Sequence, residues 1–122
     1  MIDYKKLNGG DLAFFGDAYY TMYIRKYLLD KGHTHLNDLH DETVKYVSRY
    51  AQANIVNNIL NDLSVEEMDI YKRGRNYNYK TKTDEYLKSS GFEALIGYLY
   101  LNKEYQRLEE IILKGIKIIE GE

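Results

Sequence analysis

Apolar residues recur every three or four positions along most of the chain, which is the spacing of one face of an α-helix. No long stretch alternates between apolar and polar residues, as a half-buried strand would. Proline, which interrupts helices, is absent. The pattern therefore predicts an all-α fold.

Capping residues and glycines set the expected helix limits. Asp11 is the expected N-cap of the first helix, and Gly32 its C-terminal stop. Ser64 and Glu67 form a capping box for the third helix, which Gly74 is expected to end. The five predicted helices cover approximately residues 11–31, 41–60, 64–74, 84–101 and 104–119.

The second predicted helix has an apolar face and a polar face. Its inward stripe consists of Val44, Val47, Ala51, Ile55 and Ile59. The opposite face carries Lys45, Ser48, Arg49 and Gln52. These polar side chains either contact nucleic-acid phosphates or simply face water, and the pattern leaves both uses open.

Length and composition restrict the class of protein. A chain of 122 residues, 44% hydrophobic and 30% charged, suits a single domain covering residues 1–122. The absence of cysteine excludes disulfides and thiolate metal sites. The N-terminus has no apolar signal core, and no apolar run approaches the ~20 residues that span a bilayer. A cytoplasmic protein that binds no membrane is therefore expected.

One carboxylate stands alone in each of the two most apolar segments. Asp17 lies in LAFFGDAYY, residues 12–20, and Glu93 lies in GFEALIGYLYL, residues 91–101. An unpaired buried carboxylate is so costly that it must be neutralised, paired or bound to a metal. Gly16 and Ala18 remove side-chain bulk beside Asp17, and Ser89, Ser90 and Gly97 lie one turn from Glu93. The two helices can therefore cross at these small residues and bring the carboxylates together.

A divalent cation would explain such a pair of acids. Mg²⁺, or Mn²⁺ as a substitute, prefers oxygen ligands, keeps much of its water and takes one or two protein carboxylates. The alternative is that each acid is paired with an arginine, a tyrosine hydroxyl or a helix N-terminus, with no metal at all.

One segment is strongly basic, although the whole chain has a net charge of −2. It runs from residue 72 to residue 82 and contains no acid. A basic loop with amide and phenol donors suits the phosphates and 2′-hydroxyls of A-form RNA, whereas the alternative is a solvated charged loop. The expected RNA-binding residues are Lys72, Arg73, Arg75, Asn76, Lys80 and Lys82 in this segment, together with Lys45 and Arg49 of the second helix.

Four stretches carry a resemblance to a known family. LAFFGDAYY resembles the signature of ribonuclease III nuclease domains, and GFEALIGYLYL resembles their second acidic motif. LHDETVKYVSRYAQA, residues 39–53, and KRGRN, residues 72–76, are similar to segments of the Mini-ribonuclease III family, which has no appended double-stranded RNA-binding domain. The resemblance runs from about Asp11 to the end of the fifth helix.

The resemblance implies the ribonuclease III endonuclease-domain fold, in a two-fold homodimer that cuts double-stranded RNA with Mg²⁺. It further implies maturation of the precursor of large-subunit (23S) ribosomal RNA, either bare or with ribosomal proteins bound. Asp17 and Glu93 fall on the family's catalytic, metal-binding acids. Ala13 and Ser90 stand where full-length ribonuclease III has two further acids, so the number of metal ions stays open.

Two other functions stay open at this point. With two acids missing, the chain could be a catalytically weak or inactive double-stranded RNA-binding dimer. It could also be another helical metal enzyme such as a nucleotide pyrophosphohydrolase, although that class needs a denser cluster of acids than this chain supplies.

Overall fold

The computed structural model describes residues 2–122, and these residues contain helices and no strand. The all-α prediction is therefore confirmed. The helices are α1 (Gly9–Asp30), α2 (Leu36–Val47), α3 (Arg49–Ile59), α4 (Val65–Arg75), α5 (Asp84–Leu101) and α6 (Tyr105–Glu120). Single 3₁₀ turns cover Tyr4–Lys6 and Leu60–Asp62.

Helix α5 forms the centre of the domain. All of its residues from Ser89 to Leu99 are buried, because α1, α3, α4 and α6 pack around it. The closest approach is to α1, where a Cβ atom on Gly16 would lie 1.7 Å from the backbone oxygen of Glu93. A Cβ atom on Gly97 would lie 2.3 Å from the backbone oxygen of Leu12. The predicted crossing of these two helices at small residues is thus confirmed.

The prediction of one helix over residues 41–60 is wrong, because the chain breaks at Ser48. Ser48 has extended backbone angles, and its hydroxyl oxygen accepts a hydrogen bond from the backbone N–H of Ala51 at 3.1 Å. It is thus the N-cap of α3, while α2 begins already at Leu36. The break separates the predicted apolar stripe, since Val44 is exposed whereas Ile55 is fully buried.

Two expected helix limits also differ from the structure. Asn8, not Asp11, caps α1, because its side-chain oxygen accepts from the backbone N–H of Asp11 at 2.8 Å. Helix α4 continues past Gly74 to Arg75. Gly74 serves packing, since a Cβ atom there would lie 2.4 Å from the Cβ atom of Ala94 in α5. The capping box that starts α4 is present as predicted.

Candidate active site

The two isolated acids meet where α1 crosses α5. Asp17 follows Gly16, whose backbone touches that of Glu93, so the crossing itself places the two carboxylates side by side. Their environments differ, because Glu93 is only 4% exposed whereas Asp17 lies on the surface of α1. The expectation that the two acids approach each other is confirmed, and the expectation that both are buried is wrong for Asp17.

Two donors from α3 hold the Glu93 carboxylate. Gln52 donates from Nε2 to Oε2 at 3.1 Å, and Arg49 donates from Nη1 to Oε1 at 3.2 Å. Arg49 also donates to the hydroxyl of Ser89 at 2.8 Å and stacks over the ring of Tyr86, with 4.4 Å to the ring centroid. Pairing with an arginine is therefore present, but it leaves the nearby charge of Asp17 uncompensated.

The balance of these effects raises the pKa of Glu93 to about 8. Burial is the largest cause, and the negative charge of Asp17 adds to it. Arg49 and Gln52 act in the opposite direction without cancelling the first two causes. A divalent cation next to both carboxylates would favour the charged form of Glu93, so the site has the electrostatics of a cation site.

The donor set fits a magnesium ion that is only partly held by protein. Residues 2–122 contain no group of three or more acidic or histidine side chains placed to hold a metal. Ala13 and Ser90, at the positions where an additional acid could have helped, are buried small residues. Mg²⁺ commonly takes one or two carboxylates and completes its shell with water and substrate phosphates. Asp17 and Glu93 meet that minimum.

Three of the lysines predicted to bind RNA are free to do so. Lys72, Lys80 and Lys82 are exposed, and none forms an ion pair with another residue in the described part of the chain. Asn76 is also exposed and accepts a hydrogen bond from Arg75 at 3.0 Å. These side chains form an accessible basic surface at the end of α4 and in the loop that follows it.

Arg73 is differently placed and has a structural role. It donates to the backbone oxygens of Lys5 and Leu7, and to the carboxylate of Asp69 at 2.9 Å. These contacts fasten the N-terminal 3₁₀ turn to α4. They also bring Lys5 and Lys6 beside Lys72, where the three lysines line an open pocket with a volume of about 750 Å³. The spacing of these residues in the sequence could not reveal that pocket.

Tyrosines connect the basic loop to the buried carboxylate. The rings of Tyr77 and Tyr79 lie 5.1 Å apart, and those of Tyr79 and Tyr86 lie 5.3 Å apart. Tyr86 in turn lies under Arg49, which binds Glu93. The loop is therefore packed against the site through a continuous row of aromatic contacts.

The predicted polar face of residues 45–52 is not a single surface. Lys45 pairs with Glu42 at 2.8 Å, and Arg49 points to Glu93. Gln52 is 1% exposed, so it can neither contact a phosphate nor face water, and both predictions for it are wrong. The break at Ser48 starts a new helix with a different orientation, so spacing counted along one continuous helix predicted the wrong side for Gln52.

Comparisons with known proteins agree with this architecture. Residues 10–104 match the family model of the ribonuclease III domain. The chain is 46% identical to the Mini-ribonuclease 3 of Streptococcus pneumoniae, over 99% of this chain and all of that protein. It is 45% identical to the Mini-ribonuclease 3 of Enterococcus faecalis, over 96% of this chain and 94% of that protein.

A solved structure is similar as well. The crystal structure of a Fusobacterium nucleatum protein superposes with a TM-score of 0.81 and 33% sequence identity. The superposition covers 92% of this chain and 93% of that protein. The shared arrangement of helices therefore extends over almost the whole domain.

Proposed function

The chain belongs to the ribonuclease III domain family and is an endoribonuclease, and we propose that it cuts double-stranded RNA with Mg²⁺ held by Asp17 and Glu93. The observation that carries this proposal is the meeting of an exposed and a buried carboxylate at the α1–α5 crossing. Mn²⁺ is the expected substitute ion. The proposed cellular substrate is the precursor of 23S ribosomal RNA, bare or with ribosomal proteins bound, in the cytoplasm. Among residues 2–122, no helix is long and apolar enough to span a bilayer.

The two acids have different tasks in this proposal. Glu93 is buried and fixed by Arg49 and Gln52, so it gives the site a stationary ligand. Asp17 is exposed and can face both the ion and an approaching RNA backbone. When bound, Mg²⁺ supplies positive charge to the reacting phosphate and acidifies a nearby water molecule. We assign no side chain as general base.

The basic surface supplies affinity for the RNA backbone. Lys72, Lys80 and Lys82 are free cations, and neutralising phosphates with them releases counterions from the duplex. Asn76 adds an amide that suits a 2′-hydroxyl. We expect smaller contributions from four residues that the fold already engages: Lys45, Arg49, Arg73 and Arg75.

The proposal predicts that Asp17→Asn lowers cleavage of a long RNA duplex by about a hundredfold or more, because it removes one of the two carboxylates that hold the metal ion. Binding of the same duplex, measured in EDTA, should be unchanged. Asp38→Asn is the matched control, since Asp38 is an exposed acid on α2. This variant should cleave the duplex at the wild-type rate. The assay measures the rate at which an end-labelled duplex is cut, in Mg²⁺ and in EDTA. The paired stem of a 23S precursor serves as a second substrate.

Three results would point elsewhere. Binding without Mg²⁺-dependent cleavage by the wild type would favour the alternative of an inactive RNA-binding dimer. Hydrolysis of nucleoside triphosphates in place of duplex RNA would favour a pyrophosphohydrolase. Full activity of the Asp17→Asn variant would remove Asp17 from the site.

A two-fold homodimer is part of the proposal, because the two antiparallel strands of a duplex are themselves related by two-fold axes. One face of α1 carries exposed apolar side chains that no other part of residues 2–122 covers. Phe14, Ala18 and Met22 lie there at four-residue spacing, next to Asp17, and Phe14 is 83% exposed. Burying this stripe against a second copy would bring two sites to one duplex. The family resemblance implies that the two cuts are then offset, with a short 3′ overhang.

We therefore predict a dimer at micromolar concentration without RNA, and a monomer after Phe14→Asp, because the substitution places a charge in the apolar interface. Val65→Asp is the control, since Val65 is even more exposed but lies on α4. Sedimentation measures both. A wild-type monomer that still cuts both strands efficiently would contradict the proposed assembly.

A further inference from the structure

Gln52 is an almost completely buried amide side chain beside the site. It lies on α3, is 1% exposed, and uses both hydrogens of its amide nitrogen. Nε2 donates to the backbone oxygen of Val47 at 3.0 Å and to Oε2 of Glu93 at 3.1 Å. One amide group thus joins the end of α2 to the buried carboxylate of α5.

The orientation of that amide is determined by its surroundings. The nitrogen faces two acceptors, so a flipped amide would set its own oxygen against the oxygens of Val47 and Glu93. Its oxygen, Oε1, is the one buried side-chain polar atom within residues 2–122 that has no hydrogen-bond partner. An unpaired buried oxygen is costly, and water is the usual partner for such an atom.

We propose that Gln52 is a positioning residue that fixes the Glu93 carboxylate in the orientation from which it holds the metal ion, while Oε1 accepts a hydrogen bond from a water molecule in the site. The inference rests on the proposed function and adds a residue to it. It concerns the orientation of Glu93 and not its presence.

Gln52 is better suited to this role than Arg49, the other donor to Glu93. The Arg49 side chain is 40% exposed and lies over an aromatic ring, so it can move toward an incoming phosphate. Gln52 is anchored at Val47, immediately before the helix break at Ser48, and has no exposed surface into which it could turn. If Arg49 leaves to bind RNA, Gln52 is the donor that keeps Glu93 in place.

The test replaces Gln52 with methionine, which has nearly the same length and no hydrogen-bond donor. We expect Mn²⁺ binding, measured by electron paramagnetic resonance without RNA, to weaken at least about tenfold. We expect kcat for duplex cleavage to fall about ten- to a hundredfold at fixed Mg²⁺, with partial recovery at high Mg²⁺. Duplex affinity in EDTA should stay close to that of the wild type, whereas the melting temperature should fall because the oxygens of Val47 and Glu93 each lose a donor.

Gln106→Met is the matched control, because Gln106 is exposed on α6 and carries the same chemical change away from the site. Wild-type Mn²⁺ affinity and kcat in Gln52→Met would overturn the inference, although the proposed function would stand as long as Asp17→Asn remains inactive. Failure of the wild type itself to cleave duplex RNA would instead overturn the proposed function.

A second measurement keeps the inference testable if Gln52→Met does not fold. In the wild-type protein, the side-chain amide protons of Gln52 should exchange slowly with solvent and should broaden early in a Mn²⁺ titration followed by NMR. Rapid exchange of these amide protons would show that Gln52 does not hold Glu93 at the metal. The same conclusion would follow if the Gln52 amide signals stayed sharp at Mn²⁺ concentrations that broaden the signals of Asp17.

Discussion

Replacing Glu93 with glutamine is expected to reduce duplex cleavage by about a thousandfold, because the change removes a metal-directed charge from a site that has only two. The shape of the side chain is preserved, and glutamine can still accept a hydrogen bond from Arg49 or Gln52. RNA affinity should therefore persist. The effect is measured as the rate of duplex cleavage at subsaturating Mg²⁺. Glu110→Gln, on the exposed face of α6, is the control variant.

The same variant has a second, independent consequence for stability. The pKa of Glu93 is raised from 4.5 to about 8 in the folded chain, so the metal-free protein loses stability as the pH rises from 4.5 through 8. A glutamine at this position does not titrate. In EDTA, the melting temperature of Glu93→Gln relative to the wild type should therefore be higher at pH 8.5 than at pH 4.5. A difference that does not change with pH would show that Glu93 is an ordinary carboxylate.

Replacing Gly16 with alanine is expected to destabilise the domain by about 3 kcal/mol or more, since the new methyl group cannot be accommodated. It would lie 1.7 Å from the backbone oxygen of Glu93 and 2.8 Å from the backbone nitrogen of Gly97. Backbone atoms of two packed helices cannot rotate away, as a side chain can. The gain of about 1 kcal/mol from alanine's helix propensity is too small to compensate.

Denaturant unfolding measures this effect, and Gly115→Ala provides the control. The three atoms nearest to a Cβ atom on Gly115 all belong to the side chain of Ile55, the first at 3.1 Å, and that side chain can adjust its rotamer. We expect the free energy of unfolding of Gly115→Ala to lie within about 1 kcal/mol of the wild-type value. An unfolding midpoint of Gly16→Ala equal to that of the wild type would mean that α1 and α5 are not in contact here.

Several features of the fold follow from local sequence. Helices α5 and α6 begin and end close to the predicted positions, because Thr83, Asn102 and Gly121 next to their ends agree with the apolar spacing. The pairing of Asp17 with Glu93 was also predictable, since each apolar segment has a lone acid within one turn of small residues that allow close crossing. In these places local signals and tertiary packing favour the same structure.

Other features depend on contacts that no local pattern contains. The break at Ser48 interrupts a stretch whose apolar spacing continues across it, and it turns Gln52 from the surface toward Glu93. Arg73 belongs to the same basic segment as Lys72, yet only the fold shows that its guanidinium is used by backbone oxygens near the N-terminus. Residue type suggested RNA binding for both, and tertiary structure separates them.

Direct metal binding tests, without reference to catalysis, our proposal that Asp17 and Glu93 together hold a divalent ion. Electron paramagnetic resonance of Mn²⁺ added to the metal-free wild type, Asp17→Asn and Glu93→Gln measures the affinity of each. We expect one class of site in the wild type and at least about tenfold weaker binding in each variant, because each variant retains a single carboxylate. Wild-type affinity in either variant would contradict a shared site.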